Sequence, residues 1–451
     1  MASKSKKTLN KENLMLLDIE QMADLLMEIS KGNAVSQRIL RTALAGALGV
    51  DEASKEIRKR INAISRAKTY INYAKRKAFI KDLEALKNQI LKQILPKHPE
   101  DGLDLMWCLL RLSNGILGRA HDESETFHNF FFSLTQDLAT CAMRAKEKPY
   151  ILAERIFNDI FDNDYGQYDH LIAHMTEALG TEGLTLLKEK LHTEQTDRDK
   201  TYIMQSALEN IAEGLNDVDS YIALQSKDAL KIPQLASNVA MKLLNVGRIQ
   251  EAWSAIENAD CHRFRHQLDA WANARIAILE AQKKHDEAQS FRYDWFQKYL
   301  SAEMLKDYLK KLPEFQDFKA EQAALEFVAS HDNVNHALYF LTQWHAPKHL
   351  NEMILKRHGE IDGNGYEMLS HTAKTLAAEY PLSATIILRG LINHTLDHAK
   401  SKRYKYTAKH LKECIALSQY IPDYQHHMSH IEYMKILKTK HGKKYSFWHL
   451  L

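Results

Sequence analysis

The chain is 451 residues long with 45% hydrophobic and 26% charged residues, a balance that excludes a disordered chain and supplies enough apolar side chains for large cores. Its four cysteines, Cys108, Cys141, Cys261 and Cys414, are scattered with no close pair, which argues against a disulfide framework or a zinc knot and for buried thiols in a reducing cytosol. The net charge of +3 conceals a segregation. Of 61 Lys/Arg and 58 Asp/Glu, residues 1–97 hold 20 and 10 and residues 398–451 hold 11 and 3, leaving 30 and 45 between them, so two basic ends flank an acidic centre.

Residues 1–10 are polar and basic, with no apolar segment of the kind a secretory signal needs, so a cytoplasmic protein is expected. Asn10 is a good N-cap for a first helix whose Leu14, Leu17, Met22, Leu25, Leu26 and Ile29 share one face. Asp18, Glu20, Asp24 and Glu28 interrupt that run, which makes it amphipathic rather than membrane-spanning. Lys31-Gly32-Asn33 ends it. A second helix runs from about Ala34 to Leu48 and stops at Gly49; a third opens on Asp51 and Glu52, where acids suit the positive end of the helix dipole. The third turns Ile57, Ile61 and Ile64 inward. After a break near residues 69–73, a fourth helix over residues 74–95 carries Phe79, Ile80, Leu83, Leu86, Ile90 and Ile94 as its stripe.

Proline and glycine punctuate the rest. None of the eight prolines interrupts an apolar stretch of helical period, and Pro149, Pro233, Pro347, Pro381 and Pro422 mark helix starts, where the missing N–H costs nothing. Pro96-Lys97-His98-Pro99 is a hinge, the polar run 193–200 a second boundary, and the glycine-rich run 359–365 an exposed loop. The chain therefore divides into a basic N-terminal helical region 1–97, a helical middle region 98–199 and an array over 200–451. Within the array, Leu243-Leu244-x-x-Gly247-x-x-x-Glu251-Ala252 recurs as Leu279 followed by Glu287-Ala288, an offset of 36 residues, with a looser echo at Val334-Asn335-His336-Ala337. Each copy reads as a helix, a short polar turn and a second helix opening on Glu-Ala. The offset lies near the tetratricopeptide period of about 34 residues, although that repeat's usual Trp, Leu-Gly and Tyr set is missing. The expected fold is all-α: an α-solenoid of degenerate helical hairpins, similar to tetratricopeptide repeats, behind the basic unit.

One stretch carries a binding signature. Arg58, Lys59, Arg60, Arg66, Lys68, Lys75, Arg76 and Lys77 put eight cations into twenty residues, with Tyr70 and Tyr73 interleaved and no acid between Glu56 and Asp82. Cations neutralise phosphates and release counterions, and tyrosines stack on unpaired bases. The alternative is a solvated helix face that docks on the acidic centre. Lys400, Lys402, Arg403 and Lys405, with Tyr404 and Tyr406, form a weaker version. The tail, with Phe447 and Trp448, is too apolar to stand in water and must dock, either on its own chain or on a partner. Trp107, Trp253, Trp271, Trp295 and Trp344 lie in apolar stripes and belong to core or groove.

Twenty-three histidines include five i,i+4 pairs: His170/His174, His262/His266, His345/His349, His394/His398 and His426/His430. Two imidazoles on one helix face can share a metal, but a stable site needs further ligands, and no pair carries the glutamate of a metalloprotease helix. Asp162, Asp164, Gly166 and Asp169 mimic the opening of a calcium loop whose twelfth position, Ala173, lacks the bidentate acid; a tight turn with Asp caps explains them better. No phosphate-binding glycine loop, nucleophile elbow or Cys–His pairing is present. Neither a metal nor a cofactor is expected.

Several pieces, in order, carry a resemblance: Lys7-Thr8-Leu9-Asn10, Ile57-Arg58-Lys59-Arg60-Ile61, Tyr165-Gly166-Gln167-Tyr168-Asp169, Ala399 through Tyr404 with His410-Leu411 and Cys414, and His441-Gly442-Lys443-Lys444 with Phe447-Trp448. Together they resemble a proteobacterial family of helical proteins catalogued only as a domain of unknown function. That resemblance implies a bacterial cytosolic protein and carries over no activity, substrate or catalytic residue. The hairpin region is also similar to parts of bacterial SWIM-type zinc-finger proteins, but the Cys-x-Cys and Cys-x-His ligands of that finger are missing, so no zinc is implied.

The reading that follows is a non-enzymatic helical-repeat scaffold for an unidentified protein partner. Nucleic-acid or polyanion binding through residues 55–77 is the alternative, and an enzyme with an unrecognised site stands third.

Overall fold

The computed structural model describes residues 9–194, 200–264 and 268–451. They form helices joined by short turns. No strand occurs among the described residues, and the one β-type pairing there is a single parallel bridge from Ile71 to Ala120. No helix among them is long and apolar enough to cross a membrane. The chain forms two compact units, residues 1–230 and 231–451.

The first unit opens with α1 (Lys11–Leu14), α2 (Ile19–Ser30), α3 (Ala34–Leu48), α4 (Val50–Arg66) and α5 (Tyr73–Gln89). It continues through α6 (Pro99–Leu110), α7 (Ser113–Leu117), α8 (Thr126–Ala145) and α9 (Pro149–Asp159) to α10 (Leu171–Thr193), α11 (Thr201–Gly214) and α12 (Val218–Ala223). The single first helix expected from the Leu14–Ile29 periodicity is two. Asn10 caps only α1, and Asp18 restarts the chain as a capping box with Gln21, accepting from the Gln21 N–H at 2.7 Å. Its stripe is only partly used: Leu17, Leu26 and Ile29 remain exposed.

Farther on, expectation and structure coincide. α3 has the expected limits, and Ile57, Ile61 and Ile64 of α4 are buried. Asn72 caps α5, which widens into a π-turn at Ile90–Ile94 before Pro99 opens α6. The side chains on either side of that hinge, Ile90 and Leu95 before it and Leu103 and Trp107 after it, share one core with Phe127 and Phe131 of α8. α10 breaks at Gly180, where φ is +55° and ψ −172°, a conformation open to glycine alone. Of the polar connector 193–200, residues 195–199 lie outside the described residues.

The second unit runs α13 (Pro233–Asn245), α14 (Ile249–Glu257), α15 (Asp269–Ala281), α16 (His285–Tyr299), α17 (Ala302–Lys310), α18 (Gln316–Ser330) and α19 (Val334–Gln343). After them come α20 (Pro347–Arg357), α21 (Tyr366–Leu376), α22 (Pro381–Asp397), α23 (Tyr404–Leu417), α24 (His430–His441) and α25 (Tyr445–Trp448). Pro149, Pro233, Pro347 and Pro381 open helices as expected. Pro422 does not: it lies in the loop between residues 421 and 429.

The two sequence copies turn alike. Leu244 and Leu243 carbonyls accept from the N–H groups of Gly247 and Arg248, both at 2.9 Å. Thirty-six residues later Glu280 and Leu279 accept from Lys283 and Lys284, again at 2.9 Å. Gly247 (φ +78°) and Lys283 (φ +60°) occupy the left-handed position that this C-cap requires. Ala252 and Ala288, one turn into the following helices, are fully buried. The same pair of bonds around a left-handed residue recurs at Lys146, Asn216, His345 and Ala399.

Candidate functional site

The basic stretch divides into two halves with different employment. Arg58 donates to Asp104 at 2.7 Å, and Arg60 pairs with Asp82, a carboxylate only 4% exposed that Arg38 also holds at 3.0 Å. Both arginines are thus engaged in ion pairs. Lys59 projects into solvent with Glu56 at 3.6 Å, a pairing weak at such exposure. From Arg66 to Lys77 the cations pair with no acid among the described residues: Arg66, Lys68, Lys75 and Lys77 are exposed, and Arg76 stacks 4.7 Å above the Tyr73 ring. Tyr70 and Tyr73 are 56% and 72% exposed.

The segment joining α4 to α5 holds these groups in place. Ile71 is buried and donates to the Arg119 carbonyl at 2.8 Å, while His121 N–H donates to the Ile71 carbonyl at 3.2 Å. The Arg119 guanidinium donates to Thr69 O at 2.8 Å and Ile64 O at 3.2 Å, closing the open end of α4. With Ile71 turned in, Tyr70 turns out. Burial lowers the pKa of Arg119. Charge counting along the sequence missed Arg119, because it reaches the stretch only through the Ile71–Ala120 bridge, for which no local periodicity exists.

The tail docks on its own unit. Phe447 is fully buried against Tyr404, and Trp448 donates through Nε1 to His441 O at 2.9 Å. Lys412 Nζ reaches Leu450 O at 3.0 Å. A partner meeting Phe447 would first have to displace α25. An apolar cleft lined by half-buried and buried rings lies elsewhere in this unit. Trp271, Phe291, Trp295 and Tyr299 line a cleft of about 730 Å³ with Leu268, and Asp294 and Lys298 stand exposed at its edge. Ring centroids are 6.0 Å apart for Trp271–Trp295, 5.4 Å for Phe291–Trp295 and 4.5 Å for Trp295–Tyr299, so the rings make a continuous wall rather than a cage. Arg275 lies over Trp253, Phe291 and Trp271 at 4.8, 5.2 and 5.5 Å and stiffens that wall.

The histidine pairs are differently employed. His170 and His174 stack at 6.0 Å, and His174 Nδ1 is taken by Thr135 Oγ1 at 2.8 Å. His394 and His398 stack at 4.2 Å, with Lys400 Nζ 2.9 Å from His394 Nε2, where a cation would have to bind. His345 lies in a turn before α20 and His426 in the loop before α24, so neither shares a helix with its partner. His266 lies outside the described residues. Asp51, His98 and Asp101 each bring one ligand atom within 4.8 Å of the others on an open surface, too few groups for a closed shell. Asn163 ties the 162–169 turn together, donating to Asp169 at 2.7 Å and accepting from Tyr168 N–H at 2.8 Å. The four cysteines are unpaired, and burial pushes the Cys141 and Cys414 thiols up to about 12, which leaves them inert as nucleophiles.

A family of unknown function, DUF6880, matches residues 4–450, and the chain belongs to that family. No curated protein matches it.

Proposed function

We propose that this DUF6880 protein is a non-enzymatic scaffold of the bacterial cytosol, whose second unit binds a protein partner through the Trp271–Tyr299 cleft. One observation carries the reading: in residues 231–451 most helices pack chiefly on the next helix in sequence or the one after it, and the turns at Gly247, Lys283, His345 and Ala399 reuse one elbow. Stacking of that kind is how degenerate tetratricopeptide-like hairpins build an α-solenoid, and it leaves grooves whose walls are free to vary. The aromatic wall suits apolar side chains of an extended peptide, with Asp294 and Lys298 at the edge to set its direction. The test is photo-crosslinking from position 298 in native cytosol. A stoichiometric protein product that disappears in a Trp271→Ala, Phe291→Ala double variant is expected; the same product at full yield from that variant rejects the cleft.

A second reading, nucleic-acid binding by the first unit, is favoured by the exposed Arg66, Lys68, Lys75 and Lys77 beside Tyr70 and Tyr73. Single-stranded oligonucleotide should bind at low salt, with affinity falling as salt rises. Charge reversal at Lys68, Lys75 and Lys77 should flatten the slope of log affinity against log salt by about 0.7 for each phosphate no longer neutralised. Reversing Arg58 or Arg60 would break ion pairs instead and test nothing about binding. No binding at about 50 mM salt removes this reading.

A further inference from the structure

Arg389, on α22, is 7% exposed, yet it faces no carboxylate. The titratable groups acting on it are Cys414, Tyr433 and Tyr424, and it acts in turn on His427 and His430. Its Nη1 donates to Met428 O at 2.6 Å, and its guanidinium carbon lies 4.5 Å from the Tyr433 ring and 5.7 Å from the Tyr424 ring. Nε and Nη2 have no partner among the described residues. Those two nitrogens form one edge of the guanidinium, the parallel fork that grips a pair of anionic oxygens.

The orphaned atoms around it belong together. Tyr424 Oη, His427 Nε2 and His430 Nδ1 are also buried without a partner, and all three come from the loop and first helical residue that close over Arg389. Burial and the nearby guanidinium hold both imidazoles below their ordinary pKa, so each is neutral and can present a donor N–H in the right tautomer. His358 and His426 flank His427, with ring centroids at 4.8 and 4.1 Å, and add no negative charge. The first turn of α24 brings the positive end of a 12-residue helix, which the Ser429–Glu432 capping box partly offsets. Five polar atoms without partners and one buried cation, with no acid among the titratable groups acting on its guanidinium, make a place built to be completed by an anion.

We propose that the site between α22 and the 421–430 segment binds a small oxyanion such as inorganic phosphate, held by the Nε/Nη2 edge of Arg389 and closed over by Tyr424, His427 and His430. The burial of those atoms selects a small ion over a side chain of another macromolecule, which could not reach them. Entry requires the 421–429 loop to open, and that loop has no regular structure to lose.

Calorimetric titration and thermal unfolding of the full chain test this, with phosphate and sulfate compared with chloride at equal ionic strength. Saturable binding of phosphate with a matching rise in melting temperature is expected, together with loss of both in Arg389→Met. Tyr424→Phe should weaken phosphate about tenfold, the worth of one hydrogen bond. Equal melting temperatures in phosphate and chloride overturn the proposal, as does a folded Arg389→Met variant that keeps the full phosphate response. Should Arg389→Met fail to fold, an unchanged affinity in Tyr424→Phe is decisive against it.

Discussion

Two buried charges, one in each unit, are treated in opposite ways. In the first, Asp82 is sealed inside but held by two guanidiniums, Arg38 and Arg60, on neighbouring helices. In the second, Arg389 is equally sealed but has only a carbonyl and two aromatic faces for company. A pair buried together offsets its desolvation when the geometry is good; a lone buried charge does not. The first arrangement is therefore a clasp between α3, α4 and α5, and the second leaves a positive charge that a ligand can neutralise.

Four substitutions would break or sharpen this picture. The largest effect belongs to Asp82→Ala, which leaves two partly exposed arginines facing each other without their shared acid and should cost about 2–3 kcal/mol of the first unit's stability, measured as a lower urea midpoint. Arg389→Met should move the other way: in buffer without phosphate or sulfate it stabilises the second unit by roughly 1–2 kcal/mol, since an unpaired charge is replaced by a side chain of similar length. Saturating phosphate should shrink or reverse that gain by stabilising only the unsubstituted protein. If both substitutions destabilise by the same amount under all anions, the contrast is wrong. The smallest effect concerns the elbows. Gly247→Ala should cost about 1 kcal/mol and Lys283→Gly should gain a similar amount, because the two positions share one left-handed backbone but only one has the residue suited to it. Identical melting temperatures for the pair would show that the elbows are not equivalent.

Much of the first unit is legible in the sequence. The limits of α3, the inward face of α4 and the cap region of α5 follow from periodicity and from Gly49 and Asn72, which act on backbone next to them. The split between α1 and α2 is not, because the apolar period continues through residues 15–18 while the Asp18–Gln21 capping box overrides it. The elbows show the same limit. Gly247 advertises its turn, but Lys146, Asn216, Lys283, His345 and Ala399 adopt the same left-handed conformation without announcing it, since packing of the flanking helices carries the strain.

The candidate surfaces are legible to a lesser degree. The run of cations is plain, yet nothing local distinguishes Arg58 and Arg60, whose acids stand on other helices, from Arg66 and Lys68, which have none. The aromatic positions are visible as stripes, but their meeting in one cleft depends on α15 and α16 lying side by side.

By itself the order of residues determined that this chain is helical, where most helices begin, and which faces turn inward, because capping and amphipathic period act over a few residues. Tertiary structure alone decided which charges enter ion pairs, where the tail docks, and that Arg389 is buried with no acid beside it. Each of those outcomes depends on groups tens of residues apart being brought within a few ångströms, and no short-range pattern records that meeting.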